Sequence, residues 1–285
     1  MTQPLPVQKT LKLFIDGKFP RSESGRTRPV RRGSDVYASV ASRKDLRDAM
    51  KAANTAQHKW AAATPYLRGQ IVYRLAEMLE ARAAEITRAI EEAGGVDPAS
   101  EARAAIDRLV SLAGWSDKVA QVFGNANAVS GPYHNFSVPQ PVGATVLLVP
   151  EHAAVPAMLT LIGASLSCGC ACVVICPVGS AAAAVAIAEA VATSDVPAGV
   201  VNILTGDAEE LGGWIAEHRD VAAVVAADPE DDLARRLRSG TAENFKRVAR
   251  LASQGAGWLD HDRWSAPETL EAFLEIKTLW HPSSV

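Results

Sequence analysis

Residues 141–206 read PVGATVLLVPEHAAVPAMLTLIGASLSCGCACVVICPVGSAAAAVAIAEAVATSDVPAGVVNILTG, and this stretch decides the fold. Three short aliphatic runs, at 143–149, 172–176 and 200–204, alternate with two longer apolar segments of helical length. Short β-branched runs bounded by Gly and Pro form strands, and strands that alternate with helices build a parallel sheet. The third run ends at Thr205-Gly206, the start of a tight turn. The expectation is an α/β protein with a doubly wound parallel sheet.

Composition narrows the possible partners. With 285 residues, 48% of them hydrophobic, the chain can bury a substantial core. A net charge of -3 and a pI near 6.1 give no long-range attraction to nucleic acid or anionic lipid. Neither nucleic acid nor membrane is therefore an expected partner. No apolar run approaches the roughly 20 residues of a membrane helix. The opening MTQPLPVQKTLKLF lacks the apolar region and cleavage site of a signal peptide, so the expected location is cytoplasmic.

All four cysteines, Cys168, Cys170, Cys172 and Cys176, fall in one apolar stretch, whereas a secreted disulfide framework would spread them. Their even spacing places the thiols along one face of a strand without tetrahedral convergence. Buried, inert thiols are the expectation, ahead of a metal site or a redox or nucleophilic role.

Outside the central stretch, residues 11–16 read as a strand, Asp16-Gly17 as a turn and 21–33 as a basic, solvated loop. Helices dominate 42–122. Ser42 with Asp45 resembles a capping box, while Thr64-Pro65 and Asp97-Pro98 place a cap residue before a Pro that suits the first helical turn. Leu67, Ile71, Leu75, Met78, Leu79, Ile86 and Ile90 recur at helical spacing and predict one apolar face, ended by Gly94-Gly95. Pro139-x-Pro141 marks 128–142 as an extended ribbon. The tail FLEIKTLW, 273–280, alternates with the β period.

These features together resemble the aldehyde dehydrogenase superfamily. LFIDG at 13–17 resembles its opening strand and turn, and WAAATPYLRGQIVYRLAEMLEARAAEI at 60–86 is similar to its early helix. AGWSDK (113–118), PVG (141–143), VPAGVVNILTG (196–206) and FLEIKTLW follow in family order. The resemblance implies a Rossmann-like domain over 1–127 and 141–257, and an oligomerisation β-flap over 128–140 and 270–285. It also implies that 258–269 is a short linker in place of the family's second, catalytic domain, which carries the cysteine nucleophile. The chain also resembles the C-terminal, catalytically degenerate half of family 16 aldehyde dehydrogenases.

Site residues expected from the family are replaced. His152 stands where the family has the asparagine of its oxyanion hole; an imidazole can donate a hydrogen bond, but an oxyanion hole needs a nucleophile. Cys176 and Gly179 stand for the lysine and glutamate that hold the adenosine ribose, and neither replaces those bonds. At the turn that approaches the pyrophosphate, Asp228 repels phosphate and Pro229 removes an amide donor. Gly206 and Gly212 survive from a glycine-rich turn, as expected of a tight turn and close helix packing alone. Leu251 occupies the general-base position.

A degenerate site on a kept scaffold implies a non-catalytic subunit with no cofactor. Its flap, through Tyr133, Phe136, Phe273, Leu274, Ile276, Thr278 and Trp280, pairs with a full-length aldehyde dehydrogenase subunit or with itself. The alternative is an NAD(P)-dependent oxidoreductase with a rearranged cofactor site. An improvised Cys/His centre around Glu151-His152 is the weaker local reading, because two adjacent polar residues fix no geometry.

Overall fold

The structure is a computed structural model that describes residues 9–242, 244–254 and 257–283. The chain begins with β1 (Lys9–Leu11), β2 (Thr27–Pro29) and β3 (Val36–Ser39), then runs through α1 (Arg43–Ala62), α2 (Pro65–Glu80), α3 (Ala83–Glu92), α4 (Pro98–Ala113) and α5 (Val119–Phe123). Next come β4 (Asn125–Asn127) and β5 (Tyr133–Pro141). The alternating part follows: β6 (Thr145–Leu148), α6 (Ala154–Cys168), β7 (Cys172–Cys176), α7 (Ala181–Thr193) and β8 (Val201–Thr205), then α8 (Ala208–Glu217), β9 (Ala223–Ala227), α9 (Asp231–Gly240) and β10 (Arg247–Leu251). A short α10 (His261–Ser265) leads to the last strand, β11 (Leu274–Pro282).

Five strands form one parallel sheet in the order β10-β9-β6-β7-β8. Every residue of β6, β7, β8 and β9 is buried, which explains why these strands are continuous apolar runs without alternation. Helices α2, α3, α4, α6 and α7 supply the core on one side of the sheet, and α1, α8 and α9 supply it on the other. The doubly wound, Rossmann-like expectation holds. The chain winds outward from β6 to β8, returns across β6 and continues through β9 to β10, so the strand order reverses between β6 and β9. Ligand crevices in such sheets open at that reversal, beyond the carboxyl ends of the strands. Among the described residues no helix is long and apolar enough to cross a membrane.

The three predicted caps form. Ser42 Oγ accepts from the Lys44 and Asp45 amides while Asp45 accepts from the Ser42 amide, Thr64 caps α2 and Asp97 caps α4. Arg68 is buried, and its guanidinium donates to the carbonyls of Ala63 and Ser167, tying the α1–α2 turn to the end of α6. The single helix expected from 67 to 90 is two, broken at Ala81-Arg82, where Arg82 pairs with Glu85 and Glu189. Leu67, in the first turn of α2, lies off the buried face and is 45% exposed.

The N-terminal run is also divided. Only Lys9–Leu11 is a strand; Phe14 bridges Ile203 on β8, and Asp16-Gly17 makes the turn with φ of 53° and 72°. The basic loop contains β2, paired antiparallel with β3.

The flap is a three-stranded antiparallel sheet in the order β11-β5-β4. Pro139 and Pro141 sit on β5 beyond its pairing with β4, at positions where the missing N–H breaks no ladder bond. Two expected interface residues are corrected: Phe273 is fully buried and Leu274 is 4% exposed, because both plug into the main core before the strand leaves it. Residues 258–269, expected as a linker, fold as 3-10 turns around α10 and contribute Trp258 and Trp264 to that core. Of the flap's expected span, 284–285 lie outside the described residues.

Candidate functional site

At the strand reversal the sheet opens into a crevice of about 570 Å³, walled by the ends of β6, β7, β8 and β9. The wall segments lie at the strand ends: Glu151-His152 after β6, Cys176 at the end of β7 with Pro177 to Gly179 after it, Gly206 to Glu209 after β8 and Asp228 to Glu230 after β9. The fold therefore brings His152, Cys176, Gly179, Gly206, Asp228 and Pro229 to one place. Arg28, from β2, reaches the same crevice.

Carboxylates dominate its electrostatics. Glu151, Asp207, Glu209, Asp228 and Glu230 line the crevice, against Arg28. Asp207 caps α8 through the Glu209 amide at 2.8 Å, with Glu209 and Glu210 in the first turn. Glu230 is the N-cap of α9, with Asp231 and Asp232 following. Negative side chains at a helix N-terminus favour the helix, and their charge opposes the binding of an anion there.

Asp228 has a more specific use than repelling phosphate. Its backbone is left-handed, with φ 43°, and its amide donates to the Leu251 carbonyl at 2.8 Å. The carboxylate accepts from the Ser253 amide at 2.6 Å, the Ser253 hydroxyl at 2.7 Å and the Trp258 indole N–H at 2.7 Å. His152 Nε2 lies 3.2 Å from the same oxygen that Trp258 reaches. Desolvation, the largest single influence, pushes the Asp228 carboxyl up, but Ser253, Trp258 and the nearby His152 together hold it below its ordinary range. Trp258 in turn stacks on Trp264 at 4.0 Å.

Cys176 is fully buried, and burial pushes its thiol up to about 12. Gly179 is an exposed residue of a 3-10 turn with only a distant carbonyl near its missing side chain. A Cβ on Gly206 would sit in ordinary contact with Ala41 and Leu211 at 3.7 Å, whereas a Cβ on Gly212 would come within 2.7 Å of Leu233, which identifies a packing glycine between α8 and α9. Pro229 is corrected in position: it precedes the Glu230 N-cap, so it removes no amide from the first turn of α9. Leu251 ends β10 and packs against the larger core.

No Cys/His centre assembles around His152. Its recorded partner is Asp228, while Cys168 and Cys170 point their thiols at the Leu270 and Phe273 carbonyls. Only Cys172 and Cys176 lie on a strand; Cys168 ends α6 and Cys170 follows the Gly169 turn. Burial raises all four thiols, Cys170 to about 11 and Cys172 to about 12. Among the described residues no group of three or more His, Cys, Asp or Glu is placed to hold a metal. The crevice acids Asp207, Glu209 and Glu230 and the Trp258 anchor escaped the sequence reading. Their available signals were the position of each acid just after a strand and two tryptophans within a supposed linker.

Residues 24–252 match the aldehyde dehydrogenase family. This chain belongs to the aldehyde dehydrogenase family. It is 30% identical to DhaS of Bacillus subtilis over 253 residues, 85% of this chain and 50% of that protein. It is 28% identical to the D-glyceraldehyde dehydrogenase (NADP(+)) of Thermoplasma acidophilum, over 91% of this chain and 54% of that protein. A solved aldehyde dehydrogenase from Bacillus cereus superposes with a TM-score of 0.78 over 86% of this chain and 51% of its own, at 24% identity, a likeness of fold. This family member spans about half the length of the curated relatives it matches.

Proposed function

We propose that this chain is a non-catalytic aldehyde dehydrogenase-like subunit that assembles through its β-flap with itself or with an active aldehyde dehydrogenase. The observation that carries the reading is the charge of the crevice, where Glu151, Asp207, Glu209, Asp228 and Glu230 face Arg28. Two like charges about 4 Å apart near a protein surface repel by about 4 kcal/mol before salt screening. A dinucleotide pyrophosphate at the start of α9 would meet Asp228 and Glu230, which both line the crevice there. These residues do not fit that group. The resemblance also places the family's ribose contacts at Cys176, which is fully buried, and at Gly179, which has no side chain.

Assembly is supported by the flap itself. Tyr133, Phe136, Ile276, Leu279 and Trp280 are between 38% and 62% exposed on a three-stranded sheet in which, among the described residues, β11 is an edge strand. Exposed edge strands with apolar side chains recruit further strands. Co-expression with a full-length aldehyde dehydrogenase from the same genome, followed by mass measurement, tests the heteromeric form. If neither that complex nor a self-complex forms, the subunit reading is lost.

The alternative, an oxidoreductase with a rearranged NAD(P) site, draws on the NADP(+)-dependence in the name of the Thermoplasma relative and on the crevice that Gly206 lines. Calorimetric titration separates the two. We expect no binding heat with NAD or NADP at millimolar concentration; low-micromolar binding of either would establish the alternative.

A further inference from the structure

The outer edge of β11 has hydrogen-bonding groups that are restricted to three residues. The Val142 amide donates to the Phe273 carbonyl and the Ser283 amide to the Pro132 carbonyl, and both bonds join residues opposed in the β11–β5 register. In an antiparallel ladder, hydrogen-bonded and non-hydrogen-bonded pairs alternate. The odd residues of β11 therefore bond to β5, and the even residues, Leu274, Ile276, Thr278, Trp280 and Pro282, turn their backbone groups to the open edge. Leu274 is already satisfied: its amide donates to Glu271 and its carbonyl accepts from Arg247. Pro282 has no N–H. Among the described residues, what remains open for a partner is Ile276, Thr278 and Trp280, symmetric about Thr278.

We propose that β11 pairs antiparallel with β11 of a second copy of the chain across a two-fold axis at Thr278. The proposal rests on the reading of the flap as an assembly surface. In this register Thr278 faces itself, Ile276 faces Trp280 of the other copy, and Leu274 faces Pro282. Six backbone bonds form, and the two positions unable to complete a pair fall opposite each other. The side chains agree. Ile276 and Trp280, 48% and 62% exposed, cover one another on the face where Trp280 already meets Tyr133 edge-on at 5.9 Å. On the other face the Glu275 carboxylate opposes the His281 imidazole. An isologous contact of this kind closes at a dimer, and its small size makes it concentration-dependent.

Cysteine cross-linking tests the axis. Facing residues in a hydrogen-bonded pair have Cα atoms about 5.5 Å apart, within reach of a disulfide. The native cysteines are buried and do not compete. Thr278→Cys is expected to form a covalent dimer on mild oxidation. Ile276→Cys and Trp280→Cys should each fail to link to themselves, about 13 Å apart at ~3.4 Å per residue, but should link to each other when mixed. Thr278→Pro removes an outward N–H without touching the β5 ladder, so it should be a monomer at concentrations where the parent chain is a dimer. A dimer that Thr278→Cys does not cross-link, or that Thr278→Pro leaves intact, overturns the register while leaving assembly through another surface in place. A parent chain that stays monomeric at about 100 µM overturns self-pairing, and the subunit reading then depends on the co-expression result alone.

Discussion

Replacing Asp228 with Asn isolates the contact that draws the chain after β10 back onto the sheet. Asn preserves the shape of the side chain and tolerates the left-handed backbone at φ 43° better than most residues, so the loss reports on hydrogen bonding. One carboxylate oxygen becomes an NH2, and at least one of the three donors from Ser253 and Trp258 then meets another donor. A hydrogen bond to a charged group contributes about 1.5–3 kcal/mol, and a buried donor left unsatisfied costs about 1–3 kcal/mol. Trp258 is 1% exposed, so its indole N–H has little access to water as a substitute. The expected destabilisation is about 2–4 kcal/mol by these values, read as a lower urea midpoint at unchanged slope. Trp258→Phe alone should cost less, and the double variant should fall short of additivity by about 1 kcal/mol. A loss under about 0.5 kcal/mol, the usual range for an uninvolved surface substitution, or full additivity with Trp258→Phe, would refute the anchoring role.

The same carboxylate sets an acid limit. Its folded pKa is held below the unfolded value, so its contribution is complete above the ordinary Asp value of about 3.9 and is lost as the pH falls through the lower folded value. Asp228→Asn should therefore flatten the fall of stability in acid; an unchanged acid limb would contradict the assignment.

Three further outcomes follow from packing and burial. Gly240→Ala should destabilise by about 1–3 kcal/mol, the usual cost of overpacking, because the new Cβ would lie 2.5 Å from that of Ala216 on α8; an unchanged thermal midpoint would refute this contact. Gly213→Ala, in α8 with no atom within 4 Å of its added Cβ, should stabilise by up to about 1 kcal/mol through helix propensity, and a loss of stability would show that the position is crowded. The four thiols should react with a thiol reagent only after denaturation, since burial raises every one of them; fast labelling of the native protein would contradict their placement.

The legible parts of the sequence were those whose cause is local. Strands β6, β7 and β8 are buried on both faces and so read as aliphatic runs, and the Ser42, Thr64 and Asp97 caps need only neighbouring residues. The α2–α3 break was not legible because neither Gly nor Pro marks Ala81-Arg82, and the ion pair from Arg82 to Glu189 spans 107 positions. The alternation of FLEIKTLW identified the flap strand, but periodicity does not reveal that Phe273 and Leu274 are still inside the body. At the site, the replaced residues were visible by position, whereas the partner of Asp228 lies 30 residues away in a stretch that looked like a linker.

That distance bears on how the crevice and the flap are connected. A carboxylate at the end of β9 needs donors, and here the Ser253 backbone and Trp258 supply them from the chain just beyond β10. The same segment sends the Asp260 carbonyl to Arg108, a buried arginine of α4 whose burial lowers it to about 10 and whose guanidinium also reaches Thr160 on α6. It then inserts Leu270 and Phe273 into the core and releases β11 into the flap. If the chain left β10 on another course, Asp228 would keep a desolvated charge with fewer donors, and Arg108 would lose an acceptor. The acid at the crevice and the short return to the flap therefore depend on each other. On this argument, Asp228→Gly, which removes the acceptor of the Ser253 and Trp258 bonds, would loosen the segment that positions β11, and should weaken flap pairing along with stability.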